Sequence, residues 1–67
     1  MTNRITQLRK ERRISQAELA YAVNVTRQTI ISLENGKYNP SILLAHAIAR
    51  LFGAQIEDIF RFEEEEA

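Results

Sequence analysis

Two helix starts fall close together in residues 15–37, which read SQAELAYAVNVTRQTIISLENGK, and they limit what the chain can become. Ser15 is followed three residues later by Glu18. That spacing is a capping box: the serine hydroxyl accepts a backbone N–H of the first turn, and the glutamate accepts the serine N–H. Thr26 suits a second N-cap and Gly36 a helix stop. Leu19, Ala20 and Val23 recur at helical spacing in the first segment, Ile30 and Leu33 in the second. Helices are expected at about 16–23 and 27–35, joined by only three or four residues around Asn24 and Val25. Two short helices joined so tightly cross at a steep angle. The start of the second, with Arg27, Gln28 and Thr29, is then left facing outward.

Sixty-seven residues make one small domain with a modest core. An apolar fraction of 45% is enough for a globular fold. There is no cysteine, so disulfides and thiolate metal sites are excluded, which fits a reducing cytoplasm. His46 is the only histidine. A histidine-based metal site or a Ser/His/Asp triad lacks partners, and His46 itself is expected on the surface of its helix. The adjacent Glu57 and Asp58 point in different directions on a helix, so they form no catalytic carboxylate pair. No enzyme activity, metal or cofactor is expected. No apolar run reaches the length of a membrane span, and the N-terminus lacks the apolar segment of a signal peptide. The expected location is the cytoplasm.

The formal net charge is zero, but it is unevenly spread. Residues 63–66 are all glutamate; the rest of the chain carries nine basic residues against five acidic ones. Arg4, Arg9, Lys10, Arg12 and Arg13 fall within the first thirteen residues, opposed only by Glu11. On charge alone this fits a solvated helix face with a solubilising tail as well as a surface for a polyanion.

In chain order, residues 3–13 read as a first helix capped by Asn3, with Ile5 and Leu8 on its inner face. Arg9 lies in register with Ile5, and a charge there needs a partner. The loop at 36–40 is dense in turn residues and ends in Pro40. Ser41 caps a fourth helix running to about Phe52. Its apolar positions, Ile42, Leu44, Ala45, Ile48, Ala49, Leu51 and Phe52, lie nearly all round, so it is expected to be the central, buried helix. Leu43 and Leu51 exceed what one core face needs and point to a second contact surface. Gly53 ends this helix. Residues 55–60 read as a short fifth helix, and Phe60, Arg61 and Phe62 alternate as a strand does. The expectation is a domain over 1–62 and an acidic, disordered tail over 63–67.

The segments QAELA at 16–20, TRQTI at 26–30 and LENGK at 33–37, followed by Asn39, Pro40 and Ser41, resemble the phage-repressor type of helix-turn-helix protein. This is the family of Cro/repressor and xenobiotic-response-element regulators, and the likeness spans about residues 4–60. The short length and the IEDIF at 56–60 resemble its smallest dimeric repressors, in which residues after the fifth helix form a strand near the dimer contact. The resemblance implies an all-α, five-helix bundle of the lambda-repressor-like type, with a short C-terminal β-strand. It also implies a transcriptional repressor that binds a palindromic operator as a homodimer, its helix at 27–35 in the major groove.

Carried over position by position, the resemblance makes Arg27, Gln28 and Ser32 base-reading residues. The chemistry agrees: Arg can bond guanine O6 and N7, and Gln can pair with adenine. Ile31 occupies a position that is usually polar in the family; either it touches a thymine methyl or it is a tolerated exposed residue. Thr26, Asn35, Lys37 and Tyr38 match positions that contact the DNA backbone and fix register, Gln16 matches a position that holds phosphate and neighbouring side chains, and Thr29 can reach a phosphate or a base edge. Arg9 and Glu34 match a buried ion pair between the first and third helices. Leu43, Leu51, Ile56, Phe60 and Phe62 are the expected dimer contacts. For the two rings the alternative is that they fold back on their own fourth helix. The competing function is an antitoxin-like or protein-interaction module, which calls for a partner-binding segment beyond the fifth helix; only about seven residues follow it. No small-molecule effector domain is evident.

Overall fold

A computed structural model describes residues 2–61. The elements run β1 (Thr2–Asn3), α1 (Ile5–Glu11), α2 (Gln16–Ala22), α3 (Arg27–Glu34), α4 (Ile42–Phe52), α5 (Ile56–Ile59) and β2 (Phe60–Arg61). Five helices and a two-stranded antiparallel sheet make up the fold. The two strands pair Thr2 with Arg61 and Asn3 with Phe60. The C-terminal strand is therefore as the alternation suggests, but its partner is the start of the same chain, which no pattern in residues 2–3 announces.

The helix starts follow the capping chemistry. The Glu18 N–H donates to Ser15 Oγ at 3.0 Å, and the Ser15 N–H donates to Glu18 Oε1 at 2.8 Å. The exposed Glu18 carboxyl is held below its ordinary value by the Ser15 N–H and then by the Ser15 side chain. Thr26 and Ser41 cap α3 and α4 through the N–H groups of Thr29 and Leu44. Asn3 differs from the expectation. It belongs to β1, its Oδ1 accepts the Ile5 N–H, and its Nδ2 donates to the Leu33 carbonyl at 2.6 Å. One side chain thus ties the start of α1 to the end of α3.

The helix ends share one device. Each of α1 to α4 closes with a left-handed residue: Arg13, Asn24, Gly36 and Gly53, with φ of 56°, 63°, 72° and 64°. The next N–H then reaches back to the fifth residue before it: Ile14 to the Arg9 carbonyl, Val25 to Ala20, Lys37 to Ser32 and Ala54 to Ala49. These are Schellman closures, which satisfy carbonyls the helix leaves unpaired. Ile14, Val25 and Ala54 then pack on the core, the apolar contact that accompanies this motif. Gly36 and Gly53 suit the left-handed turn because they lack Cβ. Arg13 adopts it against its preference, so α1 stops at Glu11 and not at residue 13.

Ile5, Leu19, Ile30, Leu33, Ile48 and Ile59 are fully buried and join every helix to one core. α4 contributes Leu44, Ala45, Ile48, Ala49 and Phe52, so it is the central helix. It is not buried all round, however: Ile42 and Leu43 are each 83% exposed, while Leu44 and Ala45 of the same turn face the core. Phe60 requires a correction as a dimer contact. It is 2% exposed and closes its own core, since its register opposite Asn3 turns the ring inward. Ile56 is half-buried against the same core. Phe62 and the acidic tail lie outside the described residues. Arg12 adds a contact that the pattern did not reveal: it donates to the Phe52 carbonyl at 2.6 Å and lies over the Phe52 ring, 5.6 Å from its centre. That places a cation on the C-terminal end of α4, where the helix dipole favours it.

Candidate nucleic-acid interface

α2 and α3 pack directly against each other across the short turn at Asn24. The left-handed Asn24 allows so tight a reversal; its short polar side chain tolerates that backbone. Ile30 and Leu33 face inward from α3 and anchor it. The opposite side of α3 carries Arg27, Gln28, Ile31, Ser32 and then Asn35. Gln28, Ile31, Ser32 and Asn35 follow one helical stripe at i, i+3, i+4 and i+7. Arg27 and Gln28 are exposed, Ile31 and Ser32 half-buried. Bidentate donors and amides thus stand at the open end of the stripe, and the apolar Ile31 sits a turn deeper.

The residues expected at the DNA backbone ring this stripe. Thr26 and Thr29 share a hydroxyl–hydroxyl hydrogen bond of 3.0 Å at the start of α3. Asn35, Lys37 and Tyr38 are exposed beyond its end. Gln16, the first residue of α2, is half-buried beside Arg27, and a shallow recess lined by Arg9, Ser15, Gln16, Ala17 and Arg27 opens there.

Behind the recess lies an ion pair. Arg9 Nε donates to Glu34 Oε2 at 2.8 Å, with side chains 13% and 7% exposed. Arg9 Nη1 donates to the Ile14 carbonyl at 3.0 Å, so α1, the Schellman closure and α3 meet at one guanidinium. Gln16 Nε2 donates to Glu34 Oε1 at 3.0 Å. Arg27 Nη2 in turn donates to Gln16 Oε1 at 3.4 Å. Burial pushes the Glu34 carboxyl up, but hydrogen bonds from Arg9 and Gln16, the Arg9 charge and a contact from Thr6 outweigh it and hold the carboxyl below its usual value. Among the described residues no buried side-chain nitrogen or oxygen lacks a hydrogen bond.

Nine basic residues face five acidic ones over residues 2–61, and no group of three or more His, Cys, Asp or Glu among them could hold a metal ion. None of their helices is long and apolar enough to cross a membrane. The chemistry on offer is an outward row of donors, acceptors and one apolar side chain on a rigid helix. A helix-turn-helix family profile matches residues 5–59.

This chain belongs to the Cro/repressor type of helix-turn-helix transcriptional regulators.

An HTH-type transcriptional regulator of Archaeoglobus fulgidus is 56% identical over 66 residues, covering 98% of this chain and 93% of the relative. The immunity repressor protein of Bacillus phage phi105 is 38% identical over 84% of this chain and 39% of its own length. The fold resembles the restriction-modification controller protein C.AhdI of Aeromonas hydrophila, with a TM-score of 0.77 over 85% of this chain and 86% of that one, at 24% identity. This helix-turn-helix regulator is a DNA-binding protein with repressor-like relatives. The resemblance has Gln16 hold phosphate and neighbouring side chains; what sequence reasoning does not name is that those neighbours are Glu34 and Arg27. The signal for it lay in residue types: an amide placed between a carboxylate and a guanidinium can serve both.

Proposed function

We propose that two copies of this chain bind a palindromic operator in the cytoplasm and repress transcription there, each laying α3 in the major groove. The observation that carries this reading is the outward stripe of Arg27, Gln28, Ile31 and Ser32. Arg27 and Gln28 read base edges by paired hydrogen bonds, Ser32 takes a further edge, and Ile31 meets a thymine methyl. Gln16, Thr26, Thr29, Asn35, Lys37 and Tyr38 hold the phosphates on either side and set register. The second copy docks on α4. Leu43, Ala47 and Leu51 recur at i, i+4 and i+8 on that helix, Leu43 and Leu51 exposed and Ala47 half-buried.

Gel retardation of genomic fragments across a salt series tests DNA binding. The account expects retention of a few fragments over random DNA, with affinity falling steeply as salt rises. Absence of a retained fragment, or binding indifferent to salt, contradicts it.

A further inference from the structure

We propose that Asn35 is a deamidation site, kept latent by the turn that ends α3, and that its conversion to a carboxylate releases the chain from DNA. The effect on DNA rests on α3 facing the groove; the modification itself does not. The reaction is intramolecular. The Gly36 backbone nitrogen loses its proton and attacks the side-chain carbonyl carbon of Asn35. The bond from that carbon to Nδ2 breaks, and the nitrogen leaves as ammonia, giving a cyclic succinimide. Water then opens the ring at either carbonyl, to aspartate or to isoaspartate. A glycine after the asparagine favours the attack, because no Cβ shields the nitrogen and its backbone turns freely. The chain has four asparagines, and only Asn35 precedes a glycine. Asn39 precedes Pro40, whose nitrogen has no proton to lose. Asn24 precedes the β-branched Val25, and the Asn3 amide is already held by the Leu33 carbonyl and the Ile5 N–H.

The fold holds the attack off. Asn35 is exposed, so its amide meets water. Its ψ of 0°, however, turns the Gly36 nitrogen away from its side chain. The Gly36 N–H is also occupied, donating to the Leu33 carbonyl at 3.0 Å. That same carbonyl accepts from Asn3 Nδ2 at 2.6 Å, so β1 pins the acceptor in place. Attack therefore requires the end of α3 to open. Such opening is far faster than the chemistry, and the rate of conversion follows the open fraction. Asn3 is thus the side chain that sets how long Asn35 lasts. Either product puts a negative charge at the end of the stripe formed by Gln28, Ile31, Ser32 and Asn35, where a phosphate is expected. A carboxylate is also disfavoured at the C-terminal end of a helix. Isoaspartate further adds a methylene to the main chain and shifts Lys37.

The test holds the intact wild type at mildly alkaline pH, folded in buffer and unfolded in guanidinium chloride, and follows each asparagine by peptide mass mapping. Unfolded chain should gain the amide-to-acid mass change at Asn35 first, and folded chain should gain it there more slowly. Asn3→Asp keeps an acceptor for the Ile5 N–H but sets an oxygen against the Leu33 carbonyl. It should convert Asn35 about fivefold faster than folded wild type, its folded fraction checked by circular dichroism. Asn35→Gln should show no conversion at that position. Asn35→Asp, the product itself, should bind every duplex about tenfold more weakly than wild type. Unfolded chain with no conversion at Asn35 overturns the site. Folded wild type that converts as fast as unfolded chain, or as fast as Asn3→Asp, overturns the latch. Unchanged DNA affinity in Asn35→Asp overturns the release from DNA, whereas a wild type that binds no duplex overturns the groove-facing role of α3 and leaves the mass measurement standing.

Discussion

Glu34 answers to three neighbours at once. Arg9 supplies charge and two hydrogen bonds, Gln16 supplies an amide N–H, and Thr6 approaches from α1. Removing Arg9 would leave this carboxylate buried without its counter-charge. Arg9→Ala should cost about 3 kcal/mol in urea melts, the lower end for a buried pair because both side chains keep some solvent contact. A loss below about 1 kcal/mol would place the pair with surface bridges. The same carboxyl gives a pH signature. Its folded value lies below its ordinary one, so ionisation favours the fold. That contribution is complete above the unfolded value of about 4.3 and disappears as pH falls through the lower folded value. Wild type should lose stability over that acid range more steeply than Glu34→Gln; parallel curves would contradict the assignment.

At the scale of elements, the four Schellman closures separate what was legible from what was not. Gly36 and Gly53 announce their turns because glycine is the residue that the left-handed backbone favours. Arg13 adopts the same geometry without announcing it, whereas Asn24 is of a residue type that tolerates it; Ile14 and Val25 pack on the core just after each turn. Such contacts are between residues distant in the chain, and a local pattern does not carry them. For the same reason no local pattern displays β1, or decides between a dimer contact and an inward ring for Phe60, whose register opposite Asn3 exists only in the folded chain. Capping, by contrast, is local, and Ser15, Thr26 and Ser41 stand where the spacing puts them. Two substitutions test the backbone argument with opposite signs. Gly53→Ala meets nothing within 4 Å, so its cost of about 1 kcal/mol would be purely conformational. Arg13→Gly should gain about 0.5 kcal/mol, relief of the left-handed strain being partly offset by unfolded-chain entropy. Thermal melts giving both changes the same sign would refute this. On α3, Arg27→Ala should cost about 1–3 kcal/mol and relax one base pair, whereas Lys37→Ala should weaken all sequences alike and lower the salt slope by about one unit. Equal losses on specific and random DNA for Arg27→Ala would remove its reading role.

At the scale of the molecule, one α3 spans about half of a two-fold operator. The legible part of the site was the outward face of α3, because a single helix period displays it. The resemblance also implies the Arg9–Glu34 pair; what no local pattern displays is that the Gln16 amide joins this pair to Arg27. The surplus apolar surface lies on α4, with Leu43 83% exposed. A homodimer through that stripe should be disrupted by Leu43→Glu. Sedimentation equilibrium at micromolar concentration should show wild type as a dimer and the variant as a monomer; a monomeric wild type would refute the arrangement.

The central claim is that two copies present α3 to successive major grooves on one face of the duplex. Selection of bound sites from a random duplex pool by the intact wild-type protein reads this directly. The account predicts an enriched palindrome whose half-sites are centred about 10 base pairs apart, one turn or about 34 Å of DNA. An enriched single, asymmetric site, or no enrichment, would contradict it.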